Sequence, residues 1–131
     1  MRFDEFMAKV RERSGLDEDQ AERAVRATLN TLAQRLAGGE PKDFASQLPQ
    51  ELKDTTILTT GAGEGRDMSA EEFVRIVADR EGCSPEQARE HVRAVLATLR
   101  EAVTPGEWDD IESQLSKDYA ELLGGVGAAR T

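Results

Sequence analysis

The sequence predicts an all-α protein: a compact bundle of two tandem three-helix repeats, about six main helices, related by approximate twofold symmetry. Three observations carry this reading. Residues 1–54 recur without a gap as residues 68–121, at a constant offset of 67 and with about 20 of 54 aligned positions identical. Within both copies the apolar residues follow the i, i+3, i+4, i+7 spacing of one helix face. Nowhere is there a convincing alternation of period two; Thr55–Thr60 is rich in β-formers but isolated.

Each copy opens with a short helix. Phe3, Phe6, Met7 and Val10 share a face in the first, and Phe73, Ile76 and Val77 carry that stripe in the second, with Val74 beside it. Ser69 followed by Glu72 is a capping-box pattern, and Gly15 and Gly82 stand where a left-handed residue ends a helix. The second helix is the long one. Asp17 with Gln20, and Ser84-Pro85-Glu86-Gln87, mark its two starts; Pro85 suits the first helical position because its missing N–H is not needed there. Its stripe, Ala21, Val25, Thr28, Leu29, Leu32 and Leu36, recurs as Ala88, Val92, Val95, Leu96, Leu99 and Val103, about five turns or roughly 30 Å. Gly38-Gly39 and Pro105-Gly106 stop it. A third, shorter helix follows, with Phe44 and Leu48 matching Ile111 and Leu115. Pro49 breaks the first copy, which restarts as a short turn through Leu52, and Ser116 is placed to cap Lys117–Leu123.

The chain then divides as repeat one at 1–54, a linker at 55–67, repeat two at 68–123 and a disordered Gly-rich tail at 124–131, within a single domain. Gly61-Ala62-Gly63-Glu64-Gly65 has the composition of a mobile linker, long enough for repeats to exchange between chains and form an oligomer. A three-helix unit of ~50 residues barely sustains its own core. The two copies must therefore share one.

Of 131 residues, 33% are charged and the net charge is −9. Residues 1–54 hold 9 basic and 11 acidic residues, and the remainder 8 and 15. Nucleic acid binds through clustered Lys and Arg, so it is excluded as a partner, whereas an acidic surface steers a basic one. No apolar run approaches the ~20 residues of a membrane span, and the N-terminus reads as an acidic amphipathic segment rather than a signal peptide. A cytoplasmic protein is expected. The single cysteine, Cys83, excludes an intramolecular disulfide and a cysteine-based zinc knuckle.

Several polar residues recur at matching places: Arg26 and Arg93, Glu40 and Glu107, Gln47 and Gln114, together with Arg13/Arg80, Asp43/Asp110 and Ser46/Ser113. They read either as fold determinants or as two equivalent pockets, each joining an Arg to an acid. The structural reading places Arg13 and Arg80 at helix C-termini, where cations are favoured, and uses the glutamines to satisfy backbone groups between helices. Trp108, which replaces Pro41, is a candidate partner anchor, although packing against its own neighbours carries more weight. His91 is the only histidine, expected as a partly exposed residue beside the apolar stripe; no Cys, Asp or Glu shares its face at ligand spacing, so no metal is expected. Cys83 reads as a small buried thiol. Asp17-Glu18-Asp19 and Asp109-Asp110 open helices rather than calcium loops. No phosphate loop, nucleophile elbow or catalytic triad is present. No cofactor and no enzymatic activity are expected.

Taken together, Phe3-Asp4-Glu5-Phe6, the helix Ala21-Glu22-Arg23-Ala24-Val25-Arg26-Ala27-Thr28-Leu29-Asn30-Thr31-Leu32 and Ala45-Ser46-Gln47-Leu48-Pro49 resemble the bacterial domain-of-unknown-function family 2267. The second copy repeats the likeness in Glu71-Glu72-Phe73, His91–Leu99 and Ser113-Gln114-Leu115. The Tyr-Tyr and Gly-Trp stretch of many members is replaced by Gln50–Asp54 and by Lys117-Asp118-Tyr119-Ala120. The resemblance implies an all-helical fold of two related halves and brings no activity with it. The expected function is a non-enzymatic protein-interaction or regulatory module. The alternative is a carrier or sensor holding a small apolar molecule between the repeats, around Leu29, Leu32, Leu96 and Leu99.

Overall fold

A computed structural model describes residues 1–124, which form seven α-helices and one 3-10 helix, with no strand among the described residues. The helices are α1 (Phe3–Ser14), α2 (Glu18–Arg35), α3 (Glu40–Ala45), α4 (Gln50–Ile57), α5 (Ala70–Glu81), α6 (Pro85–Ala102) and α7 (Pro105–Ser113), and the 3-10 helix spans Lys117–Glu121. The tail expected to be disordered lies, beyond Gly124, outside the described residues. No helix is long and apolar enough to cross a membrane among the described residues.

The helix boundaries follow from capping. Asp17 accepts a 2.8 Å bond from the Gln20 amide, and complete capping boxes at Ser69/Glu72 and Ser84/Gln87 open α5 and α6. Gly15 and Gly82, both at φ 76°, close α1 and α5 in the left-handed conformation that glycine adopts at least cost. The long helices α2 and α6 pack on each other, and each short opening helix packs on both of them. Phe6, Phe73, Leu29, Leu32, Leu96 and Leu99 are at most 1% exposed in one continuous apolar cluster. Burying each such side chain is worth about 1.5–3 kcal/mol, a gain that neither copy obtains alone.

Two local expectations differ from the fold. The first copy does not end in a short turn at Leu52; it continues as the full helix α4, giving seven α-helices in place of six. Leu52 and Thr56 are fully buried on its inner face, and α4 packs on α2 and α3. Tertiary burial thus overrides the β-preference of the threonine-rich segment. In the second copy, the Ser116 hydroxyl makes no cap; it bonds the Asp118 carboxylate, and the following turn is 3-10.

The glycine-rich segment is a docked loop rather than an open tether. Gly63 donates to the Ala33 carbonyl at 2.9 Å and accepts from Gly38 at 2.8 Å, while Gly65 and Arg66 donate to Leu36 and Gln34. These bonds satisfy carbonyls at the end of α2 that have no partner within the helix. Glycine is needed because the backbones nearly touch: a Cβ on Gly63, at φ 84°, would lie 2.6 Å from the Gly38 oxygen. Gly63→Ala is therefore expected to destabilise the protein by about 1–3 kcal/mol. Gly106→Ala in α7, where an added Cβ meets nothing within 4 Å, is expected to be neutral or stabilising by up to ~1 kcal/mol. Urea denaturation midpoints of the two variants measure the difference.

Candidate functional site

Several of the recurrent polar residues lie where the two copies meet. Arg13, in the last turn of α1, reaches the Thr98 hydroxyl on α6 at 2.9 Å, and its equivalent Arg80 on α5 reaches Thr31 on α2 at 2.8 Å. The Gln47 carbonyl oxygen accepts from the Thr104 amide, and that of Gln114 accepts from the Ala37 amide, both at 2.7 Å. Each bond occurs twice with the copies exchanged. The glutamines thus satisfy backbone groups just beyond the long helices. The two arginines do more than face a helix terminus.

Glu40 opens α3 and Glu107 lies in the first turn of α7, two helices that pack together. Both residues are 8% exposed, and carboxylate oxygens of Glu40, Asp43 and Glu107 lie within 4.8 Å of one another. Burial, then the hydrogen bond and charge of Glu107, then the charges of Asp110 and Asp43, push the Glu40 carboxyl up to about 8. A helix N-terminus favours a carboxylate by about 0.3–1 kcal/mol. That is too little to offset several kcal/mol for desolvating a second like charge. Glu40 accordingly keeps its proton at neutral pH.

The acids therefore meet each other rather than an arginine. Arg26 bonds Glu22 at 3.1 Å and the Thr55 hydroxyl, so it fastens α4 to α2. Arg93 makes no side-chain hydrogen bond or ion pair among the described residues and is half-buried on α6. Trp108 is 3% exposed, with the Arg100 guanidinium 5.8 Å from its ring centroid. It fills the interior and presents no surface to a partner.

A second polar corner lies at the α5–α6 turn. His91, expected to be partly exposed, is 8% exposed, and its Nδ1 lies 2.7 Å from Glu81 Oε1. The Cys83 thiol donates to the same oxygen at 3.7 Å. Burial, then the charge and hydrogen bond of Glu81, push that thiol up to about 11. Gly82 ends α5 and turns Cys83 back towards α6, which brings together three residues that share no single helix face. The sequence signal was the presence of both Cys83 and His91 in a copy whose twin holds neither.

The third feature is on the surface. Leu58, immediately after α4, is 75% exposed beside Ile57 at 37%. They adjoin a cleft of about 120 Å³ lined by Gly38, Gly39, Pro41, Lys42, Ile57 and Ala62. This segment belongs to 55–67 and has no counterpart in the second copy.

The Glu40–Glu107 pair makes stability depend on pH. Glu40 titrates near its ordinary 4.5 when unfolded and about 8 when folded, so the folded state holds the extra proton between these values. Its contribution is fully present below about pH 4.5 and is lost as pH rises through about 8. The melting temperature of the native protein should fall between about pH 6 and pH 8.5. Glu40→Gln, which mimics the protonated acid, should flatten that slope and stabilise the protein at the upper pH by about 1–3 kcal/mol. Thermal melts across this range, with and without the substitution, provide the check.

No curated protein matches the chain. One family model does, over residues 3–122, and its description is "Uncharacterized conserved protein" (DUF2267). That match covers nearly all of the two-copy helical arrangement, and the chain belongs to this family.

Proposed function

We propose that this protein is a non-enzymatic cytoplasmic interaction module that docks a basic partner protein at the end of α4. The observation that carries the reading is the exposed Leu58, which caps α4 through its amide bond to Asp54 and whose neighbour Thr59 donates to Asn30 on α2 at 2.7 Å. A large apolar side chain on a rigid surface loses little conformational entropy when a partner covers it. The net charge of −9 supports a basic partner by steering its approach. The divergence between copies also supports it, because the second copy ends in the 3-10 helix, where the Tyr119 hydroxyl is tied inward to the Met68 carbonyl at 2.8 Å.

The carrier reading needs free space among Leu29, Leu32, Leu96 and Leu99. Those side chains are at most 1% exposed within one packed cluster. The surface clefts at the N-terminus, beside α4 and at the α5–α6 turn are lined by other residues. The packing favours the interaction module.

Native mass spectrometry on the untagged protein, purified gently from its host, tests the proposal. A partner-sized added mass is expected, and Leu58→Asp should remove it while leaving the melting temperature unchanged. An added mass of a few hundred daltons would favour a carrier instead. A bare monomer, or a partner retained by the Leu58→Asp variant, would overturn the docking assignment.

A further inference from the structure

We infer that Glu81, Cys83 and His91 form a binding site for a divalent transition-metal ion of zinc character. One ligand atom from each, a carboxylate oxygen, Sγ and an imidazole nitrogen, lies within 4.8 Å of the other two. Tetrahedral zinc has bonds of about 2.0–2.3 Å, which place neighbouring donors roughly 3.3–3.7 Å apart. The Cys83 Sγ to Glu81 Oε1 separation of 3.7 Å already fits. The His91 Nδ1 to Glu81 Oε1 separation of 2.7 Å must open, a change that side-chain rotation supplies.

Three further observations point to an ion. Glu81 Oε2 is buried with no hydrogen-bond partner, on a side chain only 5% exposed. The His91 and Cys83 contacts both use Oε1 and leave Oε2 unsatisfied, whereas a cation gripped by both carboxylate oxygens meets it. Next, the corner opens into a cleft of about 330 Å³, lined also by Leu16, Gln20, Arg23 and Gln87. An ion can enter, and a water can complete the coordination. Lastly, the duplication supplies an internal control, because Glu81, Cys83 and His91 correspond to Ser14, Leu16 and Ala24. The same structural corner carries a complete donor set in one copy and none in the other.

Charge balance selects the metal class. One carboxylate, one thiolate and one neutral imidazole total −2 and neutralise a divalent ion. The sulfur and nitrogen donors select zinc and its neighbours over magnesium and calcium, which take oxygen ligands. Binding forms the metal–sulfur bond as the thiol releases its proton to solvent. Three protein ligands plus water leave one exchangeable position.

The test is a titration of the metal-free, reduced full chain with Zn²⁺ against a chromophoric chelator, paired with Co²⁺ absorption spectroscopy. Saturable binding of one equivalent is expected, with a thiolate-to-cobalt charge-transfer band that excess Mg²⁺ leaves in place. Cys83→Ser should abolish that band and weaken Zn²⁺ binding by at least ~10-fold. The combined variant Glu81→Ser, Cys83→Leu, His91→Ala installs the residues that the first copy already carries at this corner. It should keep its helical circular dichroism and lose the site. Absence of saturable binding in the native chain, or Zn²⁺ affinity unchanged in a folded Cys83→Ser or combined variant, would overturn the assignment.

Discussion

Contact between the two long helices is the constraint on which the rest of this fold depends. α2 and α6 each carry an apolar stripe that a ~50-residue unit cannot cover, and each is covered by the other together with α1 and α5. Once Leu29, Leu32, Leu96 and Leu99 share one core, the opening helices must straddle both long helices. Their C-termini then reach the opposite copy. The polar contacts are consequences of that crossing rather than independent supports.

Those contacts set how precisely the copies register. Arg13 and Arg80 find hydroxyls only if the short helices lie at one position along their opposite long helices. Gln47 and Gln114 demand the same of the loops after α6 and α2. Each bond is worth about 0.5–1.5 kcal/mol net, less than a single core leucine. Their value lies in geometry, because alternatives that bury the same apolar surface leave these donors and acceptors unpaired. The Glu40–Glu107 contact works differently: burial and the like charge beside it push the Glu40 carboxyl up to about 8, so the junction carries an electrostatic sensitivity that its apolar core lacks.

Duplication also shows where the copies are free to differ. Many core positions repeat or exchange one apolar side chain for another, as at Phe44/Ile111; Thr28/Val95 trades a hydroxyl for a methyl, and Leu52/Tyr119 keeps its burial while adding a hydroxyl bonded to Met68. Two of the places where the copies differ are the α5–α6 corner and the segment after α4. The first holds Glu81, Cys83 and His91 where the other copy has Ser14, Leu16 and Ala24; the second exposes Leu58 at the end of α4. Positions released from packing between the copies can acquire new chemistry without loss of fold.

The sequence by itself determined the all-helical class, the two copies, the caps that open α2, α5 and α6, and the glycines that close α1 and α5. These are encoded by residues within one or two turns of each other, so periodicity and capping chemistry reveal them directly. It also made the need for a shared core legible, since the stripes exceed what one copy can bury. Only the tertiary structure decided that Thr55–Ile57 is helical, that Gly63 and Gly65 dock on α2, that Glu40 meets Glu107 instead of an arginine, and that Trp108 is interior. It alone placed Cys83 and His91 around Glu81. Arg13 and Thr98 are 85 residues apart; the local pattern around each is compatible with many helix crossings. Burial and proximity select among them, and both are properties of the packed assembly rather than of any segment within it.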